Sequence, residues 1–178
     1  STVVAIPTPS QLESRAVIDS DAVVGFPETV PSGTVGTVYE TYQPYLKIVN
    51  GCVPFPAVDA SGNTKYVLIA LSSTPFISSL MPKDEPSTGL GHRHDWEGVI
   101  VWLSSSTATT ADNIVAVCPS AHGGWDCSTD GYSLSGTSPL IQYESIWPID
   151  HAMGLTSTVG GQQPMIAWES LPTAAQTA

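Results

Sequence analysis

The amino-acid sequence predicts a mainly β protein, folded as a β-sandwich. Three observations carry that reading. Apolar runs of strand length recur along the chain, separated by Ser, Thr, Gly and Pro clusters at intervals of roughly 8 to 12 residues. Gly and Pro number 15 each in 178 residues, which suits a loop-rich globule. Charged residues make up only 12%, about half the usual share, whereas a helical bundle would need more Glu, Lys, Leu and Ala. The length and a hydrophobic fraction of 42% suit one domain with a sizeable core. Residues 1–178 therefore read as a single domain, without repeats or an interior linker.

Taken in order, residues 10–26 set Ala16, Val17, Ala22, Val23 and Val24 among early polar residues, a pattern for a short helix or an irregular lead-in. The stretch GTVGTVYETYQPYLKIV (33–49) reads as strand interrupted by Pro44. GCVPFPAVDASGN (51–63) is rich in turn residues, with Asp59 to Asn63 as a loop tip. KYVLIAL (65–71), EGVIVWL (97–103), NIVAVCPSAH (113–122) and PLIQYESI (139–146) are strands, the second and third separated by the polar loop SSSTATTAD (104–112). LPTAAQTA (171–178) begins a C-terminal helix.

Composition excludes some function classes. Five Lys and Arg against 16 Asp and Glu give a net charge of −11. Such a surface repels phosphate backbones, so nucleic acid is not a partner. It also disfavours adsorption to anionic membranes by charge alone, and an anionic target would need a bound cation as intermediary. No stretch is long and apolar enough to span a bilayer as a helix. The sequence opens on Ser1 without a start methionine, which reads as a processing boundary. Few Lys, many Ser and Thr and an acidic balance suit a secreted protein. Of three cysteines, Cys118 and Cys127 flank a Gly-rich turn and could form one disulfide, leaving Cys52 odd; three buried thiols are the alternative.

Chemistry concentrates in GLGHRHDWEGVIVWL (89–103), which holds two of the four histidines in a charge-poor chain. If Glu97–Leu103 is a strand, Asp95, Glu97, Val99 and Val101 share one face. His92 precedes it on a loop loosened by Gly89 and Gly91, and the turn residues after Asp84 could fold a third carboxylate back. Three carboxylates and one imidazole repel or crowd one another without a cation. An oxygen-rich set favours a hard divalent ion such as Mg²⁺ or Ca²⁺, where zinc would collect more His or Cys. His94 alternates away from Asp95, and Arg93 is placed to pair with Glu85 or a carboxylate. The plain alternative is a polar loop before a strand. A metal-dependent hydrolase is a further reading, weakened because no Ser or Cys nucleophile with a base stands out.

A second constellation is SIWPIDHAMG (145–154), where Trp147, Asp150 and His151 form an ordered loop with an aromatic tip. An amphipathic Trp there suits a membrane interface or a sugar face; a core Trp beside a turn is the alternative. In SAHGGW (120–125), the Gly pair reads as backbone geometry and His122 as structural.

The run Gly91-His92-Arg93-His94-Asp95-Trp96-Glu97 resembles the hallmark heptapeptide of the necrosis- and ethylene-inducing peptide 1-like proteins (NLPs), cytolysins of plant-associated microbes. DSDAVVGF, NGCVPFPAVDASGNT, MPKDEPSTGLGHRHDWE, SAHGG, PLIQYESIWPIDHAMG and GGQQPMIAWESLP are similar to the family in the same order, from about residue 15 onward. The resemblance implies a single-domain sandwich with flanking short helices, like actinoporins and fungal lectins. It implies a secreted, non-enzymatic toxin that induces necrosis and ethylene at the host plasma membrane. Its partner would be the sugar headgroup of plant glycosylinositol phosphorylceramide sphingolipids, with assembly on the membrane open. The family's metal ligands fall on Asp84, His92, Asp95 and Glu97, and its headgroup and membrane residues on Trp147, Asp150 and His151. A non-cytolytic, metal-dependent glycan-binding module or elicitor is the alternative. Two departures stand out: Phe76-Ile77-Ser78-Ser79-Leu80 occupies the place of an aromatic Tyr-Ser-Trp-Tyr-like stretch, and the segment supplying the usual partner of Cys52 is missing.

Overall fold

A computed structural model describes residues 17–19, 22–63, 76–84, 92–146 and 150–177; the side chains of residues 76–80, 82–84, 92–94 and 150 lie outside that description. The strands expected at 65–71 and the Trp147 loop tip also lie outside it, as does most of the lead-in, whose described part is irregular. After helix α1 (Thr34–Thr41) come strands β1 (Tyr45–Ile48), β2 (Phe76–Asp84), β3 (His92–Leu103), β4 (Ile114–Ala121), β5 (Gly124–Trp125), β6 (Leu134–Ser135), β7 (Ser138–Ile146) and β8 (Asp150–Leu155). Helix α2 (Thr173–Gln176) closes the chain.

Among the described residues the strands form two four-stranded sheets, so the chain is a mainly β sandwich with short helices. One sheet runs β2-β3-β4-β5, and in the other β7 pairs with β1, β6 and β8. β1 lies parallel to β7, with Tyr45 opposite Leu140, while the remaining strand pairs are antiparallel. Val99, Val101 and Val117 from the first sheet meet Ile141, Tyr143 and Met153 from the second in one core. Period-2 alternation explains β3: Val99 and Val101 are 3% and 4% exposed, while Ile100 between them is half-buried and Trp102 beyond them faces out. The same inward stripe continues back to Glu97 and Asp95, so β3 is apolar where it crosses the core and acidic toward its start.

Residues 34–41 correct the expectation of a strand. Their Thr, Val and Tyr favour strands, yet they form α1, with Gly36 and Val38 buried. Helical phase sends Val38 and Tyr42, four apart, into the core together. A β-branched residue in a helix costs at most about 0.7 kcal/mol, less than the roughly 1.5–3 kcal/mol from burying one large apolar side chain. Gly36 is required there, because a Cβ would fall 1.8 Å from the Pro31 carbonyl oxygen. Pro44 separates the helix from β1. Two further differences matter for the site. Phe76–Asp84, not expected as a strand, is β2, with Pro82 tolerated because β2 is at the edge of its sheet among the described residues. His92, expected on a loop, is the first residue of β3, because the β2–β3 ladder extends to an Asp84–His92 pair.

The polar loop after β3 is fixed by buried Asn113, 3% exposed. Its Nδ2 donates to Tyr42 Oη (3.0 Å), Ser105 O (2.9 Å) and Ala108 O (3.2 Å), and its Oδ1 accepts from Ser104 Oγ and the Ser105 N–H. β4 and β5 are joined by His122 and Gly123, both at positive φ (50° and 78°), the pair of left-handed residues that a two-residue hairpin turn uses. Cys118 and Cys127 form a disulfide across this hairpin, and Cys52 is a half-buried free thiol. Asp59 to Asn63 form the expected turn, with Asp59 Oδ1 accepting from the Ser61 and Asn63 N–H groups.

Candidate functional site

The acidic start of β3 lies against the second sheet. Glu97 is 6% exposed and Asp95 half-buried. The Tyr143 hydroxyl, from β7, donates to Asp95 Oδ2 at 2.9 Å. Ser120, from β4, donates through Oγ to Glu97 Oε2 and accepts the Gly98 N–H at 2.8 Å. Each carboxylate thus has a hydroxyl donor, one from across the sandwich and one from its own sheet.

Behind Tyr143 lies His151, the second residue of β8 and 2% exposed. The two rings stack, with centroids 4.8 Å apart and planes at 11°. The turn after β1 covers them. Gly51 has φ 84°, and a Cβ there would fall 2.7 Å from His151 Nε2 and 3.2 Å from Tyr143 Cε1. Asn50 Oδ1 accepts the Ser145 N–H at 2.8 Å, and the Val49 N–H donates to the Tyr143 carbonyl at 2.9 Å, which fastens the turn to β7. Among the described residues, the Ser145 hydroxyl is buried without a hydrogen-bond partner, directly opposite His151 in the β7–β8 ladder.

The other expected site residues are placed by backbone and register. Asp84 and His92 are cross-strand partners, three and more residues outward from Asp95 along the same hairpin. Arg93, opposite Lys83, and His94 follow, then half-buried Trp96. The side chains of Asp84, His92, Arg93, His94 and Asp150, and Gly91 and Trp147 entirely, lie outside the described residues. Asp150 pairs with Ile146 at the end of the β7–β8 hairpin. The Tyr143–Asp95 bond ties the acidic start of β3 to β7, three residues before the Ile146–Asp150 pair.

The described part of the site fits a hard divalent cation. Its two carboxylates share one strand face and each is oriented by a hydroxyl, as supporting hydrogen bonds orient metal ligands. Among the described residues no group of three or more His, Cys, Asp or Glu is gathered, two of the four expected ligands having side chains outside them. His92 and Asp95 are an odd step apart, which changes face on a flat strand. A cation shared by all four therefore needs the strong twist that two-stranded ribbons adopt.

Sequence reasoning did not single out Tyr143, Ser120 or Gly51. A weak signal existed for Tyr143, since a tyrosine in a buried strand needs a partner for its hydroxyl.

Comparison with known proteins identifies the fold and the family. The model for Necrosis inducing protein (NPP1) matches residues 36–68 and 76–178. The chain is 38% identical over 190 residues to NLP effector protein 10 of Phytophthora capsici, spanning 92% of this chain and 81% of that protein. It is 36% identical over 190 residues to Necrosis-inducing protein NPP1 of Phytophthora nicotianae, spanning 91% and 80%. The solved complex of NLPPya with mannosamine superposes with a TM-score of 0.78 at 39% identity, over 90% of this chain and 86% of that one. The complex of NLPPya with glucosamine superposes with the same TM-score at 40% identity and the same coverage. The chain belongs to the Necrosis inducing protein (NPP1) family, in agreement with the resemblance carried by Gly91–Glu97.

Proposed function

We propose that this chain is a secreted, non-enzymatic, necrosis-inducing toxin that binds the sugar headgroup of glycosylinositol phosphorylceramides in the plant plasma membrane and then disrupts that membrane. Asp84, His92, Asp95 and Glu97 hold a divalent cation, Mg²⁺ or Ca²⁺. The observation that supports the reading is the Tyr143–Asp95 bond, which ties the acidic start of β3 to β7, the strand paired with Asp150 and His151 of β8.

When bound, the cation would neutralise the acidic pair and offer coordination positions to sugar hydroxyls. The chain's own residues do the rest. Tyr143 and Ser120 orient the carboxylates. Asp150, at the end of the hairpin, accepts a hydrogen bond from the docked sugar. His151 supports the hairpin from within the core. Trp147, in the sequence between β7 and β8, enters the lipid interface, where its amphipathic ring is most stable. No bond in the lipid is cleaved.

Necrosis-inducing relatives and the two amino-sugar complexes of NLPPya support this reading. The sugar complexes also favour a second one, in which the chain binds glycans through the same cation without lysing membranes. Leakage from vesicles containing plant glycosylinositol phosphorylceramide, measured together with bound metal and with and without chelator, decides. The expected result is leakage that needs the cation and is lost in Asp95→Ala. Binding to the vesicles without leakage favours the second reading, and full leakage by metal-free Asp95→Ala rejects both.

A further inference from the structure

We propose that Tyr143 is the positioning residue for the cation site, holding Asp95 in its ligating orientation while His151 and Gly51 brace it from behind. The inference rests on the cation reading above. Asp95 sits half-buried near the outer end of β3, and the orientation of its carboxylate depends on two side-chain torsions. A ligand in that position gains affinity when a partner outside the metal's own shell fixes it. Tyr143 is such a partner. Its ring is fully buried, at 0% exposure, and its hydroxyl reaches Asp95 Oδ2 from the opposite sheet at 2.9 Å.

The ring itself has nowhere to go. One face stacks on His151 at 4.8 Å. The Gly51 backbone lies so close that a methyl group there would collide with the His151 ring and crowd that of Tyr143. The Asn50–Ser145 and Val49–Tyr143 hydrogen bonds keep that turn on β7. The Tyr143 hydroxyl thereby ties Asp95 to contacts from β7, β8 and the turn after β1 together. The hydroxyl donates to the carboxylate without competing with it for a cation, because a neutral phenol is a poor ligand beside a carboxylate.

A merely structural tyrosine offers the control. Tyr42 is also buried, at 4% exposure, and its hydroxyl donates to Ala108 O or Thr110 O and accepts from Asn113, away from the acidic pair. The experiment is calorimetric titration of Mg²⁺ and Ca²⁺ into the full chain, with Tm recorded for each variant in chelator. Tyr143→Phe keeps the ring stack and removes one hydroxyl. The expected loss of cation affinity is about 10–100-fold, against no loss for Tyr42→Phe, which lowers only Tm. Gly51→Ala, which pushes on the stack without touching Asp95, is expected to weaken binding in the same direction and decides the matter should Tyr143→Phe not fold. Native affinity in folded Tyr143→Phe, or in Gly51→Ala where that variant decides, overturns the positioning role and leaves the cation reading standing. A native chain that binds neither ion overturns both.

Discussion

Glu97→Gln makes the sharpest test of what the acidic pair is for, because its effect should change sign with the cation. Asp95 and Glu97 are two residues apart on one strand face, about 7 Å at the usual rise per residue. At an effective dielectric of about 20, two unit charges at that distance repel by about 2.4 kcal/mol. Glu97 is also 6% exposed, so its charge is poorly hydrated. Gln keeps the shape and an acceptor for the Ser120 hydroxyl but removes the charge. Without cation, Glu97→Gln should therefore be more stable than the native chain by about 2 kcal/mol. A cation at a thousand times its Kd stabilises the native chain by about 4 kcal/mol, and the variant, lacking one ligand charge, gains much less. The order of stability should invert. In a chain of this size each kcal/mol moves Tm by about 2–4 °C, so both differences are measurable. The assay is thermal unfolding of both proteins in chelator and in excess Mg²⁺ or Ca²⁺. A variant less stable than the native chain in chelator would mean that protein partners already satisfy the Glu97 charge, and the reasoning from an ion-requiring pair would be wrong.

Three further outcomes are expected. Asn113→Ala removes side-chain hydrogen bonds to Tyr42, Ser104, Ser105 and Ala108 and should cost about 2–4 kcal/mol in urea unfolding, with cation affinity unchanged; a loss near zero would show that water replaces those bonds. Replacing Cys118 and Cys127 by Ser opens a loop with a sequence separation of 9 and should cost about 2–3 kcal/mol. Because Ser120 lies inside that loop, calorimetry should also find weaker cation binding. The Asp59 carboxyl is held below its ordinary value, first by the Asn63 side chain and then by the N–H groups of Asn63, Ser61 and Gly62. A lowered folded value gives stability that is present above the ordinary value of 3.8 and is lost as pH falls through the folded value; Asp59→Ala should flatten that acid limb in a series of unfolding curves at decreasing pH, and an unchanged limb would assign it to other carboxylates.

The parts legible from sequence are those where local pattern and burial agree. β3, β4 and β7 are bounded by turn residues and rich in alternating or continuous Val and Ile, and Glu97 was placed on the face of Val99 because period 2 leaves no other choice. Helix α1 was misread because its β-branched residues carry strand preference, while the deciding contacts, Val38 and Tyr42 with the core and Gly36 with Pro31, are tertiary. β2 was hidden by the Ser78-Ser79 pair and Pro82, which break any alternation. In the site, the carboxylates announced themselves by clustering in a charge-poor chain. Their partners did not, since Tyr143 is 48 residues from Asp95 and Ser120 is 23 from Glu97. Only the register of β7 against β8 and β1, and of β4 against β3, brings those hydroxyls into place.

The parallel pairing of β1 with β7 has a consequence for the order in which the molecule can assemble. Tyr45 finds Leu140, Leu46 also bridges to Gly161, and Thr29 bridges to Ile166. During synthesis the early third of the chain emerges long before these partners do, and pairing of such distant segments is intrinsically slow. The β2–β3 hairpin can zip up locally, carrying the acidic pair, but the turn at Gly51 gains a surface to close upon only when β7 and β8 arrive. A chain caught midway through synthesis thus carries Asp95 and Glu97 without the strand that brings the Tyr143 hydroxyl to Asp95, and that contact comes late, with the final strands.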